Sequence, residues 1–215
     1  EEIRRLARLL VEQGTAPEQL TSFVSVLNDR LSQRVIELLR GRHEWGAVSW
    51  CWLAFGSEGR FEQTFATDQD NGLLFVSHGG GESEARAQLL PFAREVNEAL
   101  AECGFPLCKG NVMASNPDLC LSLEEWKARI GGWMANAQPQ ALLDAAICFD
   151  FRPVFGDATL AAALHAWVFA RTGKSPLFLR QMAENALQGR PALGRLGRLA
   201  TENAPHAPHS INLKL

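Results

Sequence analysis

The chain has 215 residues, of which 47% are hydrophobic and 21% charged, so it is long and apolar enough to bury a sizeable core in one large domain or two small ones. Its net charge of −3 and pI near 6.0 provide no global positive field, so we expect neither nucleic acid nor a membrane as a partner. No apolar run has the length of a membrane span and the first residues lack the features of a secretion signal, which predicts a cytoplasmic protein.

The first third of the chain is predicted to form two helices and then two strands. Apolar residues recur at helical spacing over residues 3–39, and a Gly-Thr-Ala-Pro break at 14–17 divides them into two helices. The apolar run 48–55 predicts a buried strand, and 71–77 a second one. Asn71-Gly72 is a common hairpin turn, but the residues before it show no apolar alternation, so we predict one strand starting near Asp68.

The rest of the chain is predicted to change from mixed structure to helix. Good helix formers predict a helix over about 83–102, and residues 105–113 allow one more short strand. Beyond it, a capping box at Ser122 and Glu125 opens a helix through Met134, and further helices are expected around 140–151, 158–171 and 176–187. Residues 150–157 are interpreted as the end of a helix, and 201–210 as a loop.

This shift in composition predicts two domains with a boundary near residue 120. Residues 1–120 would form N-terminal helices and a mixed domain, and 121–215 an all-helical one. The fold class is therefore α+β. Because the chain starts inside a helical pattern and ends shortly after an apolar segment, we expect a fragment of a longer protein, truncated in its helical domain.

The segment between the two predicted strands carries most of the functional information. A Gly56-Ser57 turn follows the first strand, and Asp68 and Asp70 precede the second. Glycine lets backbone N–H groups approach a phosphate closely. On an extended backbone, residues two apart point to the same face, so both carboxylates would converge. A phosphate cradle beside paired carboxylates predicts a site for a divalent metal and a nucleoside triphosphate.

Nucleotidyl transfer suits this arrangement, because positive charge must stabilise the oxygens on both sides of the reacting phosphorus. Asp68 and Asp70 are the candidate catalytic residues and ligands for Mg²⁺ or Mn²⁺. The nucleotide-binding candidates are the backbone at Gly56, the Ser57 hydroxyl, Arg60 for charge, and Gln63 and Thr67 as supporting or sugar contacts. Each motif alone is more simply a turn or a solvated strand edge, and Asp150 with Arg152 is most simply a structural ion pair.

The motif resembles the nucleotidyltransferase superfamily typified by DNA polymerase beta. It is most similar to bacterial nucleotidyltransferases related to the N-terminal region of the protein-PII uridylyltransferase, which in many proteins follow CBS and cyclic-nucleotide-binding domains. The segments that carry the resemblance are Gly56-Ser-Glu-Gly-Arg60, Glu62-Gln-Thr64, Thr67-Asp-Gln-Asp-Asn71, Lys109-Gly-Asn-Val-Met-Ala-Ser-Asn116, Ser122-Leu-Glu-Glu-Trp126 and Phe149-Asp-Phe-Arg-Pro-Val-Phe-Gly-Asp157.

The resemblance implies a small mixed sheet with flanking helices, followed by a helical substrate-binding domain. It implies transfer of a uridylyl or adenylyl group to a protein or small-molecule acceptor with magnesium, and it adds Lys109 to the nucleotide-binding candidates. The superfamily usually carries a third carboxylate where this chain reads Phe105-Pro-Leu-Cys-Lys-Gly. Asp118, Glu124 or Asp150 could take its place, and Asp150 ranks first because its segment is the most distinctive acidic one left.

Two other functions remain open on the sequence. The chain could be a catalytically silent module that senses nucleotides and passes a signal from regulatory domains to a partner. A nucleic-acid polymerase or terminal transferase is the weaker alternative, because the chain is acidic and lacks a basic stripe.

Overall fold

The computed structural model describes residues 2–64, 67–135, 138–187, 202–204 and 207–210. Its helices are α1 Glu2–Glu12, α2 Pro17–Arg40, the short α3 Gly56–Gly59, α4 Glu82–Glu102, α5 Leu123–Ala135, α6 Pro139–Cys148, α7 Ala158–Thr172 and α8 Pro176–Leu187. Its strands are β1 Val48–Ala54, β2 Asn71–Ser77, β3 Cys120–Ser122, β4 Arg152–Gly156, β5 Glu202–Ala204 and β6 Ala207–Ser210. A single 3-10 turn, Pro117–Leu119, precedes β3.

A four-stranded mixed sheet with the order β3-β2-β1-β4 forms the centre of the fold. β1 is antiparallel to both β2 and β4, and β3 runs parallel to β2. Alternate residues of β1 enter two cores, with Cys51 and Leu53 on one face and Trp50 and Trp52 on the other. A strand covered on both faces needs apolar residues at every position, which explains the continuous apolar run in the sequence.

Helices cover both faces of this sheet. Buried residues of α5, α6, α7 and α8 pack on the Cys51 face, and buried residues of α2 and α4 pack on the Trp50 face. The predicted α+β fold with a small mixed sheet and flanking helices is confirmed. Where one domain ends and the next begins stays a prediction. No helix in the described ranges combines the length and apolarity needed to cross a bilayer.

Most predicted elements are present, and the capping box is formed as expected. The Ser122 backbone N–H donates to Glu125 Oε2 (2.8 Å) and the Glu125 N–H donates to Ser122 Oγ (3.2 Å), which satisfies two donors at the start of α5. The Asn71-Gly72 pair lies inside β2, as predicted, although the strand begins at Asn71 and not at Asp68.

Two strands occur where the sequence predicted only helix, namely β3 and β4. The prediction that 150–157 ends a helix was wrong, because 152–156 pair with β1 in the sheet. β4 is an edge strand, which tolerates Pro153. Its register with β1 shifts between Phe155 and Pro153, and its last residue, Gly156, has φ +93°. Proline and glycine therefore mark a sheet edge here, and not a helix end.

The strand predicted over residues 105–113 is also absent. Instead, two separate backbone carbonyls of this stretch accept hydrogen bonds from the acidic segment. Gln69 N–H donates to Pro106 O (3.0 Å) and Asn71 N–H donates to Val112 O (3.1 Å). The loop predicted over 201–210 was wrong as well, since β5 and β6 pair antiparallel through backbone groups that need no apolar alternation.

Candidate nucleotide and metal site

The antiparallel pairing of β1 and β2 brings the Gly-Ser turn next to the acidic segment. The last residue of β1, Ala54, is the partner of Asn71, the first residue of β2. One step further out, Phe55 N–H donates to the Asp70 carbonyl at 2.9 Å. A Cβ placed on Gly56 would lie 3.6 Å from Asp70 Oδ2. The Gly-Ser turn and the acidic segment, which the sequence predicted to converge, therefore meet where β1 ends and β2 begins.

The Gly56–Gly59 turn is one turn of helix, and it begins at a residue with a left-handed backbone conformation. Gly56 has φ +51°, in the left-handed region where glycine is favoured over residues with a side chain. The Gly59 N–H donates to Phe55 O and the Arg60 N–H to Gly56 O, at 2.9 and 3.1 Å. A Cβ on Gly59 would lie 1.7 Å from the Asp150 carbonyl oxygen, so the turn is pressed directly against the chain before β4.

Buried neutral side chains hold the acidic segment. Gln69 and Asn71 alternate with the two aspartates, and both are 2% exposed. From α4, Asn97 Nδ2 donates to Gln69 Oε1 (2.7 Å) and to Asn71 Oδ1 (3.0 Å). Asp68 and Asp70 are half-buried, and both make side-chain or backbone interactions within the fold. Gln69 and Asn71 are buried at alternate positions, which favours an outward direction for the two acids that alternate with them.

The amide network of Gln69, Asn71 and Asn97 was missed by sequence reasoning. The signal in the sequence was the alternation of charged and neutral polar residues in Asp-Gln-Asp-Asn, which indicates one outward and one inward face. Asn97 gave no local signal, since it belongs to no motif. Its partners Asn71 and Gln69 lie 26 and 28 positions earlier in the chain.

A charged cluster holds the turn from the other side. Arg152 donates to both carboxylate oxygens of Asp29 on α2 (2.7 and 2.8 Å). Two of its nitrogens also donate to the Glu58 carbonyl at the end of the turn (2.9 and 3.1 Å). Its guanidinium lies 3.9 Å from the centre of the Phe61 ring, where a cation is attracted to the ring face. The predicted Asp150–Arg152 ion pair was wrong.

Asp150 pairs instead with Arg60, at 2.7 Å between Nη1 and Oδ2. Arg60 also reaches Glu62 at 2.7 Å, and these side chains are substantially exposed. The Arg60 charge, which the sequence predicted to bind phosphate, therefore lies beside the turn. It is paired there with the carboxylates of Asp150 and Glu62.

Glu58 is a buried acid in the middle of the turn. Burial, with a smaller contribution from the charge of Asp29, raises its pKa to about 8; Arg152 opposes this shift and Asp70 adds to it. Near neutral pH this carboxyl is therefore largely protonated, so the turn does not place a second full negative charge beside Asp70.

The other three predicted nucleotide contacts lie in surroundings that differ from one another. Gln63 is buried against α2, where Asn28 Nδ2 donates to its Oε1 (3.1 Å) and its own Nε2 is without a hydrogen-bond partner among described residues. Thr67 Oγ1 donates to Thr64 O (2.8 Å). Lys109 is exposed in the loop whose Cys108 hydrogen-bonds the Asp70 side chain.

The donor set fits a magnesium ion that a substrate completes. In the described part of the chain, no three His, Cys, Asp or Glu side chains form a group that could hold a metal by themselves. Mg²⁺ is usually held by one or two carboxylates together with substrate phosphates and water. Asp68 and Asp70 can supply the carboxylates, and a triphosphate on the Gly56-Ser57 turn can supply the other oxygens.

Comparison with known proteins agrees with this geometry. Residues 1–140 match the family model described as Putative nucleotidyltransferase DUF294, and residues 176–215 match the Putative nucleotidyltransferase substrate binding domain. No curated protein matches the chain. The first match spans more than half of the sequence and includes the turn, the acidic pair and the amide network. The chain therefore belongs to the DUF294 family of putative nucleotidyltransferases.

Proposed function

We propose that the protein transfers a nucleoside monophosphate, uridylyl or adenylyl, from a nucleoside triphosphate to a hydroxyl of a protein or small-molecule acceptor, with Mg²⁺ or Mn²⁺. The observation that carries this proposal is the 3.6 Å between the Cβ position of Gly56 and Asp70 Oδ2. It supports a triphosphate and a carboxylate-bound metal within reach of each other. The family supplies the reaction class, and the base and acceptor are part of the proposal.

In the proposed reaction an acceptor hydroxyl forms a bond to the α-phosphorus, and the bond from this phosphorus to the pyrophosphate oxygen breaks. The Gly56-Ser57 backbone and hydroxyl would hold the phosphate chain, and Arg60 would turn from Asp150 and Glu62 toward it. Asp68 and Asp70 would hold the metal ions, which supply positive charge to the oxygens on both sides of the reacting phosphorus. Lys109 and Thr67 are proposed as outer contacts to the nucleotide, and Gln63, which is buried against α2, as a residue that supports the turn from behind.

Asp150 is the proposed third acid, because its backbone touches the Gly59 turn and its carboxylate lies on Arg60. Binding of a triphosphate to Arg60 would free this carboxylate to accept the proton of the acceptor hydroxyl. Asp150→Asn should then lower the transfer rate at least ten-fold while leaving triphosphate binding intact. An unchanged rate would remove Asp150 from the mechanism.

A catalytically silent nucleotide-sensing module is the second candidate. The observation in its favour is that no third metal-ligating side chain joins the two aspartates within the described residues. In either case we propose a cytoplasmic protein that works beside CBS or cyclic-nucleotide-binding domains, which the resemblance associates with this family.

Transfer of radiolabel from α-labelled UTP or ATP to cell extract separates the two candidates. We expect labelling by the wild type with Mg²⁺, loss of at least 100-fold in Asp68→Asn with Asp70→Asn, and no change in Glu37→Gln, a surface carboxylate on α2. Label that persists without both aspartates would contradict catalysis at this site. Thermal stabilisation by triphosphate and Mg²⁺ without any transfer would favour the silent module.

A further inference from the structure

We propose that Asn97 of α4 is a positioning residue, which fixes the orientation of Asp68 and Asp70 toward the metal through the two amides that alternate with them. This inference rests on the proposed function, since it assigns a role in metal binding to a residue that touches neither metal nor nucleotide. Asn97 is 1% exposed. It belongs to no motif in the sequence, and its side chain lies in the core behind the acidic segment.

The hydrogen bonds of Asn97 hold the acidic segment in the orientation in which Gln69 and Asn71 face the core. Its two amide hydrogens go to Gln69 Oε1 and Asn71 Oδ1, at 2.7 and 3.0 Å, and its own Oδ1 accepts from Ser115 N–H at 3.0 Å. Gln69 Nε2 returns a hydrogen bond to the Asn97 carbonyl (2.9 Å). One helix residue thus binds both inward-facing side chains of the four-residue acidic segment at once.

The surrounding loop locks the same two residues. Gln69 Nε2 also donates to Phe105 O (2.9 Å), and Asn71 Oδ1 also accepts from Ala114 N–H (2.8 Å). A shift by one residue would bury a carboxylate in place of an amide and leave the hydrogen-bonding groups around it unsatisfied. The network therefore excludes the register in which the aspartates point inward.

Neutral amides are suited to this task. A lysine or arginine in this position would hold the segment as firmly, but its charge would compete with the metal for the carboxylates. An asparagine donates to both neighbours without adding charge. Residues that orient metal ligands from behind typically change metal affinity by 10–100-fold when they are replaced.

The test is Mn²⁺ binding to the protein with ATP or UTP, followed by the loss of the free-ion electron paramagnetic resonance signal. Asn97→Leu, of similar size but unable to donate, should weaken Mn²⁺ binding about ten-fold or more. Asn97→Ser is the second variant if the leucine protein does not fold. Ser122→Ala is the matched control, because it removes a buried helix cap at the start of α5 and should lower stability with unchanged Mn²⁺ affinity.

Backbone hydrogen exchange provides a readout that does not depend on metal. The Gln69 and Asn71 amides should exchange faster in Asn97→Leu than in Ser122→Ala at equal loss of stability, while the Leu74 amide inside β2 should respond equally in both. Equal Mn²⁺ affinity in Asn97→Leu and wild type, or equal exchange at Gln69 and Asn71 in the two variants, would overturn the positioning role and leave the proposed function standing. Failure of the wild type itself to bind Mn²⁺, or an unchanged Mn²⁺ affinity in Asp68→Asn with Asp70→Asn, would overturn both.

Discussion

The two halves of the candidate site are held in place by opposite kinds of chemistry. The Gly56–Gly59 turn is anchored by charge, through Arg152 on Asp29 and on the Glu58 carbonyl. The acidic segment is anchored by neutral amides, through Asn97. In the proposed site, this difference would leave the two carboxylates un-neutralised for a metal, while Arg60 and Arg152 lie on the side proposed to receive phosphate. Changes in charge and pH should therefore act mainly on the turn.

The largest effect is expected from adding one methyl group to the turn. Gly59→Ala places a Cβ 1.7 Å from the Asp150 carbonyl, so the backbone must move, and we expect a loss of about 3 kcal/mol or more in the free energy of unfolding. Gly56→Ala is the matched control: its Cβ meets no atom closer than 3.6 Å and should cost about 1–2 kcal/mol for its left-handed φ. Urea denaturation compares the two; equal losses would contradict the close contact between the turn and the chain before β4.

The next largest effect tests the charged anchor. Arg152→Leu leaves Asp29 nearly buried without its partner and should cost about 3 kcal/mol, whereas Arg152→Lys keeps the charge but loses the paired hydrogen bonds and should cost about 1 kcal/mol. Arg34→Leu removes an exposed ion pair with Glu37 on the same helix as Asp29, with an expected cost below about 1 kcal/mol. Thermal or urea unfolding gives all three values. A loss in Arg152→Leu no greater than in Arg34→Leu would show that the anchor does not stabilise the turn.

The smallest effect concerns the pH dependence of the turn. The pKa of Glu58 is about 8 in the folded protein against 4.5 for an ordinary glutamate, so the folded state keeps a proton that the unfolded chain loses. Its contribution to stability is complete below pH 4.5 and is lost as the pH rises through about 8. Glu58→Gln cannot lose this proton, so its stability relative to wild type should increase from pH 4.5 to pH 8.

Urea denaturation at several pH values measures this difference, with Glu62→Gln as the exposed control in the neighbouring stretch. A constant difference between wild type and Glu58→Gln over this range would mean that Glu58 titrates normally. Asn97→Leu should show no such trend, because the groups of the amide network do not titrate.

The parts of the fold that follow from local pattern could be predicted from the sequence. β1 and β2 are apolar runs, and the motif between them predicted that the Gly56-Ser57 turn lies beside the acidic pair, as the approach of Gly56 to Asp70 bears out. β4 was not, because Pro153 and Gly156 are more often found where an element ends. The anchors of the site depend on contacts across the chain, such as Arg152 to Asp29 over 123 positions, which leave no local trace.

The central claim is that Asp68, Asp70 and the Gly56-Ser57 turn form one metal and triphosphate site. A crystal structure of the protein soaked with Mn²⁺ and UTP or ATP, with the ion located by its anomalous scattering, tests this most directly. We predict Mn²⁺ bound to the carboxylates of Asp68 and Asp70, with the phosphates on the backbone of Gly56 and Ser57. Mn²⁺ bound elsewhere, or a triphosphate distant from the turn, would contradict the account.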